Sequence, residues 1–173
     1  LFPQAEPHIA ISYRAPTSGD RLFPAFLVLV RRLQANVERL DLSPNTFLVI
    51  YAPLDRPEVV TLNLPAVNQE APEAVLARLG TYVDEMRNMP LDYPELKATG
   101  QYYNFLFCRE SYSMEALARD PYGVAFTLGR KKQLGINGAA IIKKIEAVTR
   151  AELKEAAEIF AAENSAAVIV KIK

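Results

Sequence analysis

Hydrophobic and polar residues alternate in two segments, one near the start of the chain and one at its end. The segment "HIAISY" (8–13), with a proline on either side, predicts a first strand, and "VIVKIK" (168–173) predicts a last one. Two further runs are rich in β-branched and aromatic residues, "NTFLVIYAP" (45–53) and "PEVVTLNLPAV" (57–67), with "LDRP" between them. These runs predict a β-hairpin or two neighbouring strands.

Between these strands, apolar residues recur every three to four positions, which is typical of helices that bury one face. The first helix is predicted to follow Asp20 as its capping residue, with Pro24 in its first turn, and to reach Leu40. A second helix is predicted from Pro72 to an end near Asn88 and Pro90, and a third over 94–113, in "PELKATGQYYNFLFCRESYS". The residues that we expect the second helix to bury are Leu76, Leu79, Val83 and Met86.

The last third of the chain predicts short helices and then one helix with a well-marked start. Glycine, proline and asparagine interrupt the helical pattern between Ser113 and Lys144. Thr149 and Glu152 form a Thr-x-x-Glu capping box, which begins a helix. The order is therefore strand, helix, two strands, several helices and strand. It predicts an α+β fold, a mixed and mostly antiparallel sheet with helices layered on one face, formed by residues 1–173 as a single domain.

Composition and charge exclude several classes of protein. The 173 residues include 20 Lys and Arg and 20 Asp and Glu, and this zero net charge gives no general attraction to nucleic acid. We interpret the basic run 130–132 as a solvated helix end. No segment approaches the roughly 20 apolar residues that a membrane-spanning helix needs. The sequence starts at Leu1 without a basic and apolar leader, and we expect a piece of a longer protein.

Only one histidine, His8, and one cysteine, Cys108, are present, and this limits the chemistry of the chain. A zinc site built on two histidines is excluded, and His8 with the distant Cys108 makes a poor metal site. His8 is also the only imidazole base for Ser12, Ser113 or Cys108 as nucleophiles. The sequence therefore assigns no catalytic residue, no metal ligand and no substrate-binding residue, and it predicts that this chain alone is inactive.

Two sets of side chains resemble binding sites but are explained by packing and solvation. Four aromatic residues of the third helix point in different directions, which predicts two core rings and two flanking rings rather than a stacking platform. They are Tyr102, Tyr103, Phe105 and Phe107. The acidic residues are spread along helices without converging in pairs, so we expect them on solvated faces. They are Glu70, Glu73, Asp84, Glu85, Asp92 and Glu95.

Three segments together resemble one domain of the insulinase, pitrilysin and mitochondrial processing peptidase family of zinc metallopeptidases. They are "HIAISYRAPTSGD" (8–20), "PELKATGQYYNFLFCRES" (94–111) and "KKIEAVTRAELKEAAEIFAAENSAAVIVKIK" (143–173). A strand that ends in a Tyr-Arg-Ala-Pro-like turn, here 13–16, and a following Gly-Asp pair, here Gly19 and Asp20, are similar to the family's pattern. A further match is a Glu-Leu-x-x-Ala-like helix start at 95–99, where Thr99 stands in place of the usual alanine.

The resemblance implies the second, non-catalytic domain of such a peptidase, because only the first domain of the family carries the His-x-x-Glu-His zinc motif. It implies that zinc is bound by a partner domain, on the same or a companion chain, and that this domain helps to close a chamber around unfolded peptide substrates. The resemblance also implies dimerisation and a bacterial protein, located in the periplasm or the cytoplasm, with the periplasm favoured. Composition and charge predict no nucleic-acid partner and no membrane span.

One departure from the family's pattern favours an alternative function. Active members often carry an arginine and, about seven residues later, a tyrosine that contact the substrate. Here Arg39 is followed seven residues later by Thr46, and the nearest tyrosine is Tyr51. The segment 20–47 is also shorter than the family's usual length. The alternative is a structural or assembly subunit of the same fold without proteolytic activity.

Overall fold

The structure is a computed structural model that describes residues 8–40, 49–65, 71–109 and 114–170. Its strands are β1 His8–Arg14, β2 Val49–Ala52, β3 Arg56–Pro65 and β4 Ser165–Val170. Its helices are α1 Phe23–Ala35, α2 Pro72–Asn88, α3 Tyr93–Asn104, α4 Met114–Arg119, α5 Pro121–Gln133, α6 Gly138–Glu146 and α7 Arg150–Ala157. This order of elements is the predicted one.

The described strands form one sheet in the order β2-β3-β1-β4, and every pairing among them is antiparallel. A short turn joins β2 to β3, which confirms the predicted hairpin. Ile11 in the centre of β1 pairs with Leu62 on one side and with Ala167 on the other. β4 begins at Ser165, three residues before the predicted start, and 171–173 lie outside the described residues. The α+β class is confirmed.

Helix α1 lies against one face of the sheet and is buried along most of its length. Residues 23–30 are all buried, because α2, α3, α6 and α7 pack against the sides of α1 that do not face the sheet. The ring of Phe26 lies 5.1 Å from that of Tyr51 and 6.2 Å from that of Phe160, and Phe160 lies 5.1 Å from Tyr13. These rings connect β2, α1, the turn after α7 and β1 in one core.

Two predicted details of the first two helices are wrong. Asp20 does not cap α1, which begins at Phe23. Its carboxylate accepts a hydrogen bond from the Thr17 hydroxyl at 3.0 Å instead. The Asp20 side chain therefore stabilises the loop before α1 and does not cap the helix. Leu76 is 40% exposed, and the buried residues of α2 are Val75, Leu79, Tyr82, Val83 and Met86. A spacing of three or four from Leu79 reaches either Leu76 or Val75, and the sequence does not show which one faces the core.

The third helix is shorter than predicted. α3 begins at Tyr93, and the carboxylate of Asp92 caps it by accepting a hydrogen bond from the amide of Glu95 at 2.8 Å. After Asn104 the backbone widens into a π-helical turn over Phe105–Arg109. The predicted continuation to Ser113 falls on 110–113, outside the described residues. The short helices predicted for the following segment are present as α4, α5 and α6.

The capping box at the start of α7 is confirmed, and it gives a testable prediction. The Thr149 hydroxyl accepts a hydrogen bond from the amide of Glu152 at 3.2 Å, and the carboxylate of Glu152 accepts one from the amide of Thr149 at 2.9 Å. We expect Thr149→Ala to lower the free energy of unfolding at pH 7 by about 1 kcal/mol, the usual value of a lost cap. Urea denaturation followed by circular dichroism measures this loss.

The same box makes part of the stability depend on pH. Hydrogen bonds from the backbone amide and the hydroxyl of Thr149 lower the pKa of Glu152 below its ordinary value of 4.5. Because the folded pKa is the lower one, the stabilisation is present above pH 4.5 and is lost as pH falls below it. The difference in stability between the wild type and Thr149→Ala should therefore shrink as pH is lowered from 6 to 3.5. A constant difference would show that the hydrogen bond from the Thr149 hydroxyl to the carboxylate does not contribute, since the alanine variant keeps the bond from the backbone amide.

Candidate functional site

The sheet has a second face, which points away from α1. Neighbouring residues of a strand point to opposite faces, so the strand residues between the buried ones line this second face. All of them that the structure describes are partly or fully exposed, including Ile50 at 49% and Val59 at 41%. We call this surface the open face; its described side chains are Ala10, Ser12, Arg14, Ile50, Val59, Thr61, Asn63 and Ala166.

The open face combines aliphatic side chains with hydroxyl groups. Ser12 and Thr61 are cross-strand partners, and their hydroxyl oxygens lie 2.9 Å apart in a hydrogen bond across the middle of the sheet. Ile50 pairs with Thr61 from the other side. The exposed Ile50 and Val59 are large apolar residues on a surface that the described helices leave uncovered. Such a surface can contact apolar and polar groups of a ligand without selecting one sequence.

A groove of about 500 Å³ lies at one end of the open face, where β1 ends and β4 begins. Its walls carry charges of both signs, from Arg14 of β1, Glu58 of β3 and Glu163 of the turn before β4. Val59 and Ala166 also line it. The groove is thus lined by both charged and apolar residues, and it shares Arg14, Val59 and Ala166 with the open face.

Strand β4 forms one edge of the sheet, and β2 forms the other. Within the described residues no strand pairs with the outer side of β4, whereas β2 at the opposite edge is shorter and carries an irregular register between Tyr51 and Ala52. A regular edge strand offers backbone amides and carbonyls to an extended chain. β4 is therefore the better of the two edges for adding a peptide as a further strand.

The structure places His8 and Ser12 on the same strand, β1, and Cys108 on a separate element. His8 begins β1, Ser12 is on the open face in its bond with Thr61, and Cys108 lies in the π-helical turn after α3. Ser113 lies outside the described residues. In 8–40, 49–65, 71–109 and 114–170, no three His, Cys, Asp or Glu residues are grouped to hold a metal. The predicted lack of a catalytic site stays a prediction.

The arginine and tyrosine positions of the family's pattern are not brought together by the described structure. Arg39 is exposed in a short 3₁₀ turn that follows α1, and Thr46 lies outside the described residues. Tyr51 faces the core, where its ring packs edge-on against Phe26 at 5.1 Å. Burial raises the pKa of the Tyr51 hydroxyl, so it stays protonated near neutral pH. Tyr51 therefore packs the core and does not replace the missing tyrosine.

The aromatic residues of α3 and of the π-helical turn after it lie as expected. Tyr103 and Phe107 are buried and stack with centroids 5.7 Å apart, while Tyr102 and Phe105 are exposed. The guanidinium of Arg31 lies over the ring of Tyr102 at 4.5 Å, a stabilising cation–π contact. This confirms two core rings and two flanking rings.

Two interpretations of charged residues need correction. Glu95 does not lie on a solvated face, because its carboxylate binds the buried guanidinium of Arg32, with Nε and Oε1 2.6 Å apart. The run 130–132 is not simply a solvated helix end either. Lys131 is buried, and Arg130 donates hydrogen bonds to the backbone carbonyls of Leu54 and Asp55. Only Lys132 in this run is exposed.

The open face was not identified from the sequence, although a signal for it exists. In β3 the alternation of Val60, Leu62 and Leu64 with Val59, Thr61 and Asn63 predicts one buried and one exposed side. The sequence does not show whether helices cover one face of the sheet or both, and the exposure of Val59 depends on that.

The helices of the described residues were also compared with the requirements of a membrane span. None of them has the length and hydrophobicity to cross a bilayer.

Comparison with known proteins gives matches among solved structures alone. No family model matches the chain, and no curated protein matches it. A proposed zinc protease from Bordetella pertussis Tohama I is similar with a TM-score of 0.64 at 12% identity, over 99% of this chain and 97% of that one. The inactive peptidase domain of a proposed zinc protease from Bordetella parapertussis is similar with a TM-score of 0.67 at 12% identity, over 100% and 95%.

A protease from Helicobacter pylori is similar over 96% of this chain but 41% of its own length, with a TM-score of 0.63 at 14% identity. The chain therefore corresponds to less than half of that longer protein. Identities this low establish a shared fold and carry no information about individual residues. The chain thus has a zinc-protease-like fold, and one structure of this fold is an inactive peptidase domain.

Proposed function

We propose that the chain is the non-catalytic, second domain of a zinc metallopeptidase of the insulinase, pitrilysin and processing peptidase family, and that its open face forms one wall of a chamber for unfolded peptides. The observation that carries the proposal is a sheet whose described strand side chains are buried on one face and partly or fully exposed on the other, in a fold that it shares with an inactive peptidase domain. The resemblance of segments 8–20, 94–111 and 143–173 to the family supports the same assignment.

The residues of this chain do not fit a zinc site of their own. Structural and catalytic zinc need three or four nitrogen, sulfur or carboxylate ligands that converge within about 2.3 Å of the ion. The chain has one histidine and one cysteine, on separate elements, and no converging acidic group within its described part. In the proposal, zinc belongs to the partner domain, and this chain contributes binding surface and no proton transfer.

The proposed role of the open face is to hold an extended peptide with little sequence preference. Ile50 and Val59 would contact apolar side chains of the peptide, and the edge of β4 would supply backbone hydrogen bonds, which every peptide can make. The charged residues that line the groove, Arg14, Glu58 and Glu163, would accept side chains of either sign. An unfolded chain is therefore the substrate class that this surface fits best.

The experiment combines the chain with the zinc-bearing domain encoded on the same polypeptide or beside it. We expect the pair to cleave unfolded casein, EDTA to abolish cleavage, and neither part to cleave alone. The proposal fails if no His-x-x-Glu-His domain is encoded with this chain, or if the pair leaves casein intact.

The open face can be tested by substitution in the same assay. We expect Val59→Glu combined with Ile50→Glu to lower kcat/KM for casein by at least about tenfold, because one aliphatic side chain buried in a complex is worth about 1.5 kcal/mol or more. Leu76→Glu is the matched control: Leu76 is 40% exposed, like Val59 at 41%, but lies on α2. Equal losses from the two variants would contradict a role for the open face.

A second candidate function is a structural subunit of the same fold without proteolysis. It is favoured by Thr46, which stands seven residues after Arg39 where active members of the family often have tyrosine. In that case the chain would be purified in a stable assembly that contains no zinc and cleaves no casein. Metal analysis of the assembly separates the two functions.

A further inference from the structure

The direction of each backbone group in β1 follows from one hydrogen bond at the end of the strand. The amide of Ala15 donates to the carbonyl of Glu58 at 2.8 Å, in the register that pairs β1 with β3. In an antiparallel pair, residues that exchange hydrogen bonds alternate with residues whose amides and carbonyls point to the opposite side. Every second residue back from Ala15 therefore bonds to β3, and the residues between them, such as Ala10 and Ser12, point to β4.

The same alternation gives the backbone directions of β4. Val168 is the partner of Ala10, so these two residues exchange hydrogen bonds. Ala167 and Ile169 stand on either side of Val168, and their amides and carbonyls therefore point away from β1. Within the described residues no strand lies beyond β4. Two amides and two carbonyls thus face outward from this edge, at positions two residues apart.

The opposite edge of the sheet is partly occupied. β2 has four residues, and its register with β3 shifts between Tyr51 and Ala52. Leu62 is one of the residues that bond to β1, so its partner on β2, Val49, directs its carbonyl outward. The side-chain amide of Gln34 donates to that carbonyl at 3.4 Å. This contact agrees with the derived directions, and it covers an outward group of β2.

β4 does not have the features that normally protect an edge strand from pairing. Proteins protect such edges with charged residues, prolines, bulges or very short strands. The strand "SAAVIV" (165–170) contains no charged residue and no proline, and its register with β1 is regular over six residue pairs. Ser165 and Ala166, at the start of β4, line the groove of about 500 Å³, which gives space for side chains of an added strand. An edge with these properties fits an extended peptide.

We propose that β4 selects unfolded substrates by their backbone and excludes segments in which proline or N-alkylated residues recur closely. The carbonyls of Ala167 and Ile169 each need one amide donor, and these donors are two residues apart in the peptide, in a parallel as in an antiparallel arrangement. Proline has no amide hydrogen, so it fills neither position. The inference rests on the proposed function for the identity of the bound chain, and it adds a rule for which unfolded segments are held.

The rule depends on the two edges of an extended peptide. Successive amides of such a peptide point to opposite sides, so it can pair with β4 through either edge. A single proline interrupts one edge and is tolerated, whereas prolines that interrupt both edges exclude the segment. The substrate class is therefore an extended segment in which one edge carries two successive amide hydrogens, whatever its side chains are.

Two isomeric peptides test this rule. Both are fluorescein-labelled octapeptides of alternating threonine and valine that carry the same number of N-methyl groups. In the first isomer every second amide is methylated, which leaves one edge intact. In the second isomer the methyl groups lie on consecutive pairs of amides and interrupt both edges.

Fluorescence anisotropy with the whole chain measures the affinities. We expect the first isomer to bind within about threefold of the unmethylated peptide, and the second isomer to bind at least about tenfold more weakly. Equal affinities of the two isomers would overturn the proposal, because composition and side chains are the same in both. An absence of binding by the unmethylated peptide would overturn it as well.

Two proline substitutions in β4 test the backbone directions. Ala167→Pro removes an outward amide, which an edge strand tolerates, so we expect an unchanged urea midpoint and at least about fivefold weaker binding of the unmethylated peptide. Val168→Pro is the matched control, because it removes an amide that bonds to β1 and should lower the urea midpoint. An equal loss of stability in the two variants would contradict the derived directions and the proposal with them.

Amide hydrogen exchange followed by NMR identifies what occupies the edge. We expect the amides of Ala167 and Ile169 to exchange faster than that of Val168, and to be slowed by the unmethylated peptide. Protection that rises with the concentration of the chain alone, and not with peptide, would place a second copy on β4 and overturn the proposal.

These measurements contain no zinc-bearing domain, so they separate the two proposals. Discrimination between the isomers without cleavage of casein by the assembled pair would support this inference and count against the proposed function. Cleavage of casein without discrimination between the isomers would support the proposed function and overturn this inference.

Discussion

Phe26→Ala is expected to lower the free energy of unfolding by about 3–5 kcal/mol, as substitution of a buried phenylalanine usually does. Phe26 is fully buried in α1, between the ring of Tyr51 on β2 and that of Phe160 after α7. Truncation leaves a cavity at the point where helix and sheet meet and removes two ring contacts, each worth about 0.5–1.5 kcal/mol beyond its area. A domain of this size has a total stability of about 5–15 kcal/mol.

Urea denaturation measured by circular dichroism gives the loss, and Phe126→Ala is the matched control. The two substitutions remove the same atoms, but Phe126 is 57% exposed, so its truncation should change the stability by less than about 0.5 kcal/mol in dilute solution. If the two variants lost equal stability, the placement of Phe26 at the centre of the core would be wrong.

The elements predicted most accurately from the sequence are those with strong local signals. α2 begins at Pro72 and ends at Asn88 as predicted, because a proline in its first turn and a periodic stripe mark it. The start of α7 at Arg150, after Thr149, follows from the capping box alone. In both cases the physical cause lies within a few residues of the element, where the sequence displays it directly.

Features that depend on distant residues could not be predicted in this way. The pairing of β4 with β1 joins strands more than 150 residues apart, and no local pattern specifies that partner. The π-helical turn after Asn104 interrupts a sequence whose periodicity predicts a continuous helix. The open face belongs to the same class, because exposure of Val59 follows from helices that pack on the other side of the sheet.

Arg32 is a charged residue whose role also depends on distant residues, so the local sequence does not predict it. Its position in α1 gave no sign of a role in the core, and Glu95 was expected on a solvated face. The structure brings them together with three backbone carbonyls at the junction of α1, α2 and α3. Arg32 donates to the carbonyl of Met86 at 2.6 Å, of Met89 at 3.3 Å and of Pro90 at 3.2 Å, and both Glu95 oxygens accept from it.

Arg32→Met is therefore expected to lower the free energy of unfolding by about 3–5 kcal/mol, the loss typical of breaking a buried ion pair. The Arg32 side chain is 1% exposed and that of Glu95 28%, so the methionine would leave the buried carbonyl of Met86 without this donor and the Glu95 carboxylate without its counter-ion in a site that water reaches only in part. The stability of Arg32→Lys should lie between that of the wild type and that of Arg32→Met, because an ammonium group keeps the charge but cannot contact all the acceptors. Urea denaturation at pH 7 measures all three proteins.

Arg87→Ala is the control for this prediction, since Arg87 also forms ion pairs, with Asp84 at 2.9 Å and Glu158 at 3.0 Å, but on the surface. Screening by water and salt limits such pairs to about 0–1 kcal/mol, so this variant should stay close to the wild type. Replacing Glu95 by Met in the Arg32→Met background should recover part of the loss, because no unpaired charge then remains. If Arg32→Met were as mild as Arg87→Ala, Arg32 would not hold the three helices together.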